Sequence, residues 1–328
     1  MHLLTSAPTA RMFRAVGGAG VVAPLVAVLT ATSEIVSTYE FHLPKRNAGF
    51  YAMLLTSMLA SDVRGVPARD ARARALIDAG AMGPLVALVA KLHGAYGEYG
   101  GMLGGDLEKW LAAVLDALCR LFEHDEGRKK AAVDARAVAP FVAVLADHRL
   151  PGALRNDAAL GLWGLASVAS AEVAKCGAAE AAVELALGSP RFAVGTAVEA
   201  KYLAGAAWYA GRISVVNADG TFAVAFADGD FQPDVRAANI RASGAAATRA
   251  DCANLYGAVG LLMRLTEHPR AYRPRAERLA RAFVATLRNR KIQGVMRTLA
   301  TLGLTNMAKD ARVGADVAKA IGLSLIHI

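Results

Sequence analysis

A short phrase of small residues followed by an apolar run recurs along the chain. It occurs at 18–29, 79–89, 135–145 and, in a weaker form, at 176–186. In the first three copies a proline (Pro24, Pro84 or Pro140) lies near the start of the apolar run. A helix tolerates proline there because its first N–H groups have no partner within the helix. Copies that pack on one another need the same corner geometry, so the recurrence predicts a stack of repeated helical units.

The spacing of these copies fits helical repeats interrupted by extra residues. The three prolines are 60 and 56 residues apart, whereas Phe141 and its counterpart Ala182 are 41 residues apart. Helical repeats are commonly about 40–47 residues long, so the longer intervals contain insertions. Six glycines within 94–105 predict a flexible loop. A phosphate-binding loop is the alternative, but no Lys-Ser/Thr pair follows the glycines and no strand precedes them.

Amphipathic helices are predicted between the copies of the phrase. Apolar residues within 107–122, including Trp110, recur at helical spacing and form one stripe. Similar helices are predicted over 49–59 and over 157–167, which contains Trp163. We interpret both tryptophans as core residues rather than as ligand platforms. The composition agrees, because 55% of residues are hydrophobic but only 6% are aromatic, and a large α/β core would need runs of Val, Ile and Phe.

The order of long helix, short basic helix, small-residue corner and apolar helix resembles the armadillo repeat. Residues 120–134 look like the junction between the first and second helices of such a repeat. The resemblance covers about 1–190 and resumes near residue 250. It implies a right-handed α-solenoid, whose stacked repeats offer a long surface to an extended protein segment.

The helical pattern gives way to a period of two between residues 197 and 243. The segment 221–227 places Phe222, Val224 and Phe226 on one face and alanines on the other, which is typical of a half-buried strand.

Neighbouring segments complete a small predicted sheet. The segment 211–217 is predicted to be a strand with Ile213 and Val215 on one face, and 238–241 would close the sheet. Turn signals lie at Asp219-Gly220 and Asp228-Gly229. Four or five short strands in 47 residues suggest a small barrel, inserted in the helical array with its two ends close together.

This segment resembles a Tudor domain, an SH3-like barrel. The resemblance rests on Trp-Tyr-x-Gly-Arg at 208–212, the Asp-Gly turn at 219–220 and aromatic-x-Asp-Gly-Asp at 226–230. Tudor domains bind methylated Lys or Arg in an aromatic cage, whose ring faces attract the cation. The resemblance implies a cage made of Tyr202, Tyr209, Phe226, Phe231 and the acidic partner Asp228. The alternative is that a barrel this small needs its aromatics as core, and we assign Trp208 to packing.

Basic residues are concentrated between 264 and 297, where only Glu267 and Glu277 oppose them and where nearly all of the net charge of +9 arises. The predicted basic patch consists of Arg270, Arg273, Arg275, Arg278, Arg281, Arg288, Arg290 and Lys291. It is interpreted as a solvated face, as a surface for an acidic protein partner, or as a nucleic-acid surface. Nucleic acid is the least favoured, because only Tyr272 and Phe283 are interleaved with the basic residues.

Signatures of catalysis and of metal binding are absent from the sequence. There is no nucleophile elbow, zinc-protease helix or Walker loop. The dense cluster at 123–126 is interpreted as a solvated helix junction. Cys119, Cys176 and Cys252 lie far apart, without metal-binding spacing, and are interpreted as small buried residues in a reducing compartment. We therefore expect no enzyme activity, cofactor, metal or membrane span, and an intracellular location in cytoplasm or nucleus.

The sequence thus predicts a mostly α protein. Armadillo-like repeats at 1–196 and 244–322 flank a Tudor-like barrel insert at 197–243, and residues 323–328 are expected to be a non-native tail. The predicted function is that of a non-catalytic scaffold binding an extended or acidic segment of another protein, with the insert as a second binding site. The alternative is a reader of methylated Lys or Arg in chromatin or in other modified proteins.

Overall fold

The computed structural model describes most of the chain. The described residues are 22–35, 69–123, 125–187, 197–205, 207–217, 221–236, 239–242, 255–289, 292, 294–315 and 317–318. The predicted helix over 49–59, the turn at 219–220, Cys252, Arg290, Lys291 and the tail at 323–328 lie outside them.

Eleven α-helices make up most of the described part. They are α1 (Val22–Ile35), α2 (Arg69–Asp78), α3 (Met82–Phe122), α4 (Glu126–Asp134), α5 (Val138–Ala146), α6 (Gly152–Lys175), α7 (Ala178–Leu187), α8 (Tyr256–Leu265), α9 (Pro269–Tyr272), α10 (Ala276–Arg288) and α11 (Gly294–Ala308).

The helices stack in series, as the recurring phrase predicts. Helices α3, α6, α8 and α11 pack on one another in chain order, and so do α5, α7 and α10. The short helices α4 and α9 pack against α6. The buried apolar side chains of the helices form one continuous cluster from Leu25 to Val317. Each helix therefore buries its apolar face against its counterpart in the next unit, which is how repeat proteins are stabilised.

The corners before α3, α5 and α7 have the same backbone conformation. Gly80, Arg136 and Gly177 all have positive φ, of 85°, 63° and 87°. After α2, Gly80 N–H donates to the Ile77 carbonyl and Ala81 N–H to the Leu76 carbonyl. This pairing of a left-handed residue with two backward hydrogen bonds ends a helix without leaving its carbonyls unpaired. The recurring small-residue segment therefore specifies the end of the helix that precedes it.

Helix α3 corrects the prediction of a loop at 94–105, because it continues from Met82 to Phe122 through the six glycines. Its two halves are nevertheless bent relative to each other. A straight helix would separate Tyr96 from Glu108 by about 18 Å, farther than their side chains can reach together. The Tyr96 hydroxyl nevertheless donates to Glu108 Oε1 at 3.1 Å. The glycine segment therefore turns the chain while it remains helical, and the second half of α3 begins the next unit.

The helices that precede residues 197–242 in the chain and those that follow them belong to one stack. Helix α8 packs closely on α6 because Gly257 and Gly260 have no side chains. A Cβ added at Gly257 would lie 2.3 Å from the Asn156 carbonyl oxygen, and one at Gly260 would lie 2.4 Å from the Trp163 ring. The buried Asn156 side chain accepts the Gly257 N–H at 2.9 Å. It supplies the cap that Leu255, at the N-cap of α8, cannot make.

The chain segment between α7 and α8 forms a five-stranded antiparallel sheet. Its strands are β1 (Ala197–Ala200), β2 (Tyr209–Val216), β3 (Phe222–Phe226), β4 (Phe231–Val235) and β5 (Ile240–Ala242). The order is β4-β3-β2-β1-β5. The described ladders leave β4 and β5 at the two edges, so the structure shows an open sheet and not a closed barrel.

The sheet has a core of its own, separate from that of the helices. The predicted burial of Phe222, Val224 and Phe226 in β3 is confirmed. The prediction that Ile213 and Val215 share a face is wrong: Ile213 is buried, whereas Val215 is 47% exposed. The reason is a register shift in the β2–β3 ladder between these two residues, since a bulge moves the following side chain to the other face.

None of the described helices is by itself both long and apolar enough to cross a bilayer. The bent pair formed by 70–78 and 82–97 meets the length and composition requirement when its two members are taken together. In that pair, Leu85, Leu88 and Leu92 are buried in the helical core.

Candidate functional sites

Three of the five predicted cage residues lie together on the sheet. The Phe226 ring meets the Tyr202 ring at 5.3 Å and the Tyr209 ring at 6.4 Å between centroids, both nearly perpendicular. Phe226 is buried in the sheet core, whereas Tyr209 is 46% exposed. Asp228 and Phe231 are both exposed, and Asp228 Oδ1 accepts a hydrogen bond within its own turn, from Asp230 N–H.

The cluster of Tyr202, Tyr209 and Phe226 can offer ring surface to a ligand, with the exposed Tyr209 as its most accessible member. Beside it, Lys201 Nζ lies 5.2 Å from the centre of the Trp208 ring. The chain's own cation thus occupies one face of Trp208, which fits the prediction that this residue packs. Leu203 adds exposed apolar surface with a left-handed backbone (φ 48°), held by its N–H bond to Gln232 Oε1 at 2.8 Å.

Ion pairs divide the predicted basic patch. The pairs are Arg273 with Asp310 at 2.7 Å, Arg275 with Glu180, Arg278 with Glu184 at 4.0 Å and Arg281 with Glu277 at 2.6 Å. Arg270 and Arg288 have no acidic partner among the described residues. Three of these pairs therefore link α10 and the segments beside it to other elements, the Arg281 pair lies within α10, and only part of the patch's charge is free for a ligand.

The Asp310 pair illustrates this structural use. The carboxylate accepts hydrogen bonds from Arg273 and from the Tyr272 hydroxyl, the latter at 2.9 Å. The Arg273 bond is the main cause that lowers the pKa of Asp310 to about 2. Burial, together with Asp310, raises the pKa of Tyr272 to about 12. At neutral pH the Asp310 carboxylate is therefore ionised and the Tyr272 hydroxyl is neutral, so the hydroxyl stays a donor to the carboxylate. The two bonds anchor the chain that follows α11.

A site that the sequence analysis missed lies on the solvent-exposed side of the two long helices α3 and α6. We call Asp116, Asp157, Leu160 and Val168 the long-helix face. Asp116 is exposed in the second half of α3 and accepts the Arg120 Nε–H at 2.9 Å. Leu160 and Val168 of α6 are 37% and 38% exposed, a large fraction for apolar residues in a packed helix. The face therefore combines carboxylates with exposed apolar surface.

Asp157 is the unusual member of this face. Its carboxylate is partly buried, and no hydrogen bond or ion pair reaches it from the described residues. Burial, and to a lesser extent the charge of Asp116, raise the pKa of Asp157 to about 6. A desolvated carboxylate without a cation is typical of binding sites. The only sequence signal was one acidic residue in the Ala- and Leu-rich helix over 157–167.

The tryptophan and cysteine predictions have mixed outcomes. Trp110 is buried in the helical core, as predicted. Trp163 is half-buried and packs between α6 and α8, edge-to-face with Tyr256 at 5.0 Å.

Cys119 is partly buried, and burial raises the pKa of its thiol. Cys176 is exposed at the end of α6, so its predicted burial is wrong. Within the described ranges, no three His, Cys, Asp or Glu side chains converge to hold a metal ion.

Comparisons with known proteins yield structural similarity only. No protein-family model matches the chain, and no curated protein matches its sequence. Among solved structures, the chain is similar to a designed armadillo repeat protein in complex with the peptide (KR)4, with a TM-score of 0.56 and 13% identity over 92% of this chain and 89% of that chain. It is also similar to an engineered protein from a structural genomics consortium, with a TM-score of 0.54 and 17% identity over 93% of this chain and 87% of that chain. Together with the serial helix stack, these similarities show that the chain has an armadillo-like repeat fold.

Proposed function

We propose that the protein is a non-catalytic scaffold that binds an extended protein segment along the long-helix face, and that this segment carries Lys or Arg side chains. The observation that carries the proposal is Asp157, a desolvated carboxylate without a cation among the described residues. An incoming ammonium or guanidinium would remove the unfavourable energy of this buried charge, so binding would be stronger than at an exposed carboxylate.

The neighbours of Asp157 suit an extended segment. Asp116 adds a second carboxylate on α3, which Arg120 already binds. Leu160 and Val168 continue along α6 with exposed apolar surface. A segment with alternating basic and apolar side chains would therefore match the face in charge and in polarity. The similar designed armadillo repeat protein was solved with a (KR)4 peptide, which supports a basic segment as the class of ligand.

The proposal is tested with the full chain and a fluorescein-labelled (KR)4 peptide, followed by fluorescence anisotropy at 50 mM NaCl. Asp157→Asn should weaken binding about tenfold, because the amide keeps the shape but removes the charge. Asp134→Asn is the matched control, since Asp134 is an exposed carboxylate on α4, a helix that contributes no residue to the face. It should change the dissociation constant less than twofold. Equal effects of the two variants, or no effect of Asp157→Asn, would overturn the proposal.

The pH dependence of the same system separates binding from folding. The folded-state pKa of Asp157 is raised to about 6, above that of the unfolded chain. Its ionisation therefore lowers the free energy of unfolding as pH rises from about 4 to 6. Asp157→Asn should thus be more stable than the wild type at pH 7.5, by roughly 1–2 kcal/mol. Binding of (KR)4 to the wild type should strengthen as pH rises through 6, and this change should be absent in the variant.

A second candidate function is recognition of methylated Lys or Arg by the sheet. It is favoured by the cluster of Tyr202, Tyr209 and Phe226, because the 46% exposed Tyr209 ring offers its surface to a methylated cation. The test compares trimethyllysine, dimethylarginine and unmodified peptides on the full chain by NMR. Tyr209→Ala should abolish any preference for the methylated forms. The control is Tyr256→Phe in the helical stack, which should leave any such preference unchanged. An absence of any preference in the wild type would exclude this function.

A further inference from the structure

A cleft of about 680 Å³ lies between the end of α6 and α9, on a part of the molecule that the proposed function does not use. It begins just after Ala169, where the backbone of α6 leaves helical geometry (φ −139°, ψ 38°). Its lining includes an apolar part, here called the floor, and two exposed cations, here called the rim. The floor is Ala171, Ala174, Pro269 and Ala271, and the rim is Lys175 and Arg270. The cleft therefore combines apolar surface with positive charge.

Two further arginines line the cleft but are already engaged. Arg275 forms an ion pair with Glu180 of α7, and Arg273 forms one with Asp310 beyond α11. These pairs connect the walls of the cleft to the neighbouring helices. They leave the shape of the cleft fixed before any ligand arrives, which reduces the entropy that binding must overcome.

Lys175 and Arg270 are different, because both are exposed and neither has an acidic partner among the described residues. Lys175 belongs to α6 and Arg270 to α9, almost one hundred positions later in the chain. The fold thus brings together two free cations over an apolar floor. Of these two residues, only Arg270 belongs to the basic patch predicted from the sequence.

We propose that this cleft binds an acidic segment of a partner protein, with an apolar side chain of the segment on the floor and its carboxylates on Lys175 and Arg270. The positive charges of Lys175 and Arg270 attract the carboxylates of such a segment. The net charge of +9 would also draw an acidic partner toward the molecule. A nucleic acid is disfavoured because no Phe, Tyr or Trp is among the residues that line the cleft.

The experiment uses the full chain and a fluorescein-labelled EELEE peptide, with anisotropy measured at 50 mM NaCl. The double variant Lys175→Glu/Arg270→Glu should weaken binding at least about tenfold, because both rim charges become repulsive. Arg288→Glu is the matched control: Arg288 is another exposed arginine without a described partner, and it is outside the cleft. This control should change the dissociation constant less than twofold. An EEGEE peptide should bind several-fold more weakly than EELEE if the apolar floor contributes.

Three results would overturn the proposal. The first is no binding of EELEE to the wild type at millimolar concentration. The second is an equal loss of binding in Arg288→Glu and in the double variant, which would indicate a diffuse field and not a site. The third is tighter binding of a ten-nucleotide oligo(dT) that depends on the same two residues. Circular dichroism verifies that the double variant is folded, and Lys175→Gln/Arg270→Gln replaces it if it is not.

Discussion

The helical stack and the sheet bury their residues in different ways. The helices share one apolar cluster that passes from unit to unit, and its close contacts depend on glycines such as Gly257 and Gly260. The sheet has a small separate cluster centred on Ile213, Val224 and Phe226. A helix of the stack cannot bury its apolar face alone, whereas the sheet depends mainly on itself. Damage should therefore spread through the stack but remain local in the sheet.

The largest expected effect comes from Gly257→Ala in the stack. The new Cβ would meet the backbone of α6, with the Asn156 carbonyl oxygen 2.3 Å and the Leu160 nitrogen 2.6 Å away. Backbone cannot move aside as a side chain can, so α6 and α8 must separate. We expect a loss of about 3 kcal/mol in the free energy of unfolding, measured by urea denaturation and circular dichroism at 222 nm.

The control for this variant is Gly94→Ala in α3, because an added Cβ there has nothing within 4 Å. It should be neutral or stabilising by up to about 1 kcal/mol, since alanine is the better helix former. Fluorine NMR of 5-fluorotryptophan distinguishes the two regions: Trp110 and Trp163 report on helices and Trp208 on the sheet. If the Trp208 signal of Gly257→Ala is lost together with that of Trp163, the stack and the sheet are one cooperative unit, and the comparison fails.

The second prediction concerns a variant that destabilises the sheet and leaves the helical stack folded. Ile213 is 1% exposed in the centre of β2, so Ile213→Ala should cost the sheet about 2 kcal/mol. Because the sheet core is small, this loss should unfold it at a temperature at which the helices remain folded. The Trp208 fluorine signal should then change well below the transition of Trp163. Val215→Ala is the control, since Val215 is largely exposed on the same strand and should shift neither transition.

Sequence patterns were most informative where one local rule determined the structure. The period of two in 221–227 predicted β3, and the repeated small-residue phrase predicted the serial stacking of helices. The failures were at positions where a distant contact or a local irregularity decided the outcome. The bulge beside Val215 moved that side chain outward, and the glycines of 94–105 bent a helix instead of ending it.

The candidate sites divide in the same way. Tyr202, Tyr209 and Phe226 lie close in sequence, and their proximity on the sheet followed from a motif. Asp157 was missed because its raised pKa comes from burial and from Asp116 of another helix, which no local pattern encodes. Lys175 was missed for the same reason, since it joins Arg270 only when α6 and α9 pack together.

The third prediction concerns the joint between the two sides of the stack. Asn156 is 2% exposed, and its side chain accepts the N–H of Gly257 at 2.9 Å and that of Ala258 at 3.4 Å. Asn156→Ala leaves these buried donors unpaired, which should cost about 1.5 kcal/mol. The helical transition should move while the Trp208 signal does not. Thr305→Ala, which removes only an exposed bond to the Thr301 carbonyl, should change stability by less than about 0.5 kcal/mol.

The smallest of these four effects, a gain in stability, is expected at the corner after α4. Arg136 adopts φ 63° where the equivalent corners have Gly80 and Gly177. A left-handed backbone costs a residue with a Cβ about 1 kcal/mol relative to glycine, so Arg136→Gly should raise the free energy of unfolding by somewhat less than that, because glycine also gives the unfolded chain more freedom. Arg136→Ala separates backbone from side chain: it keeps the Cβ and should give no gain. A gain in both variants would mean that the arginine charge, and not the corner conformation, is the unfavourable element.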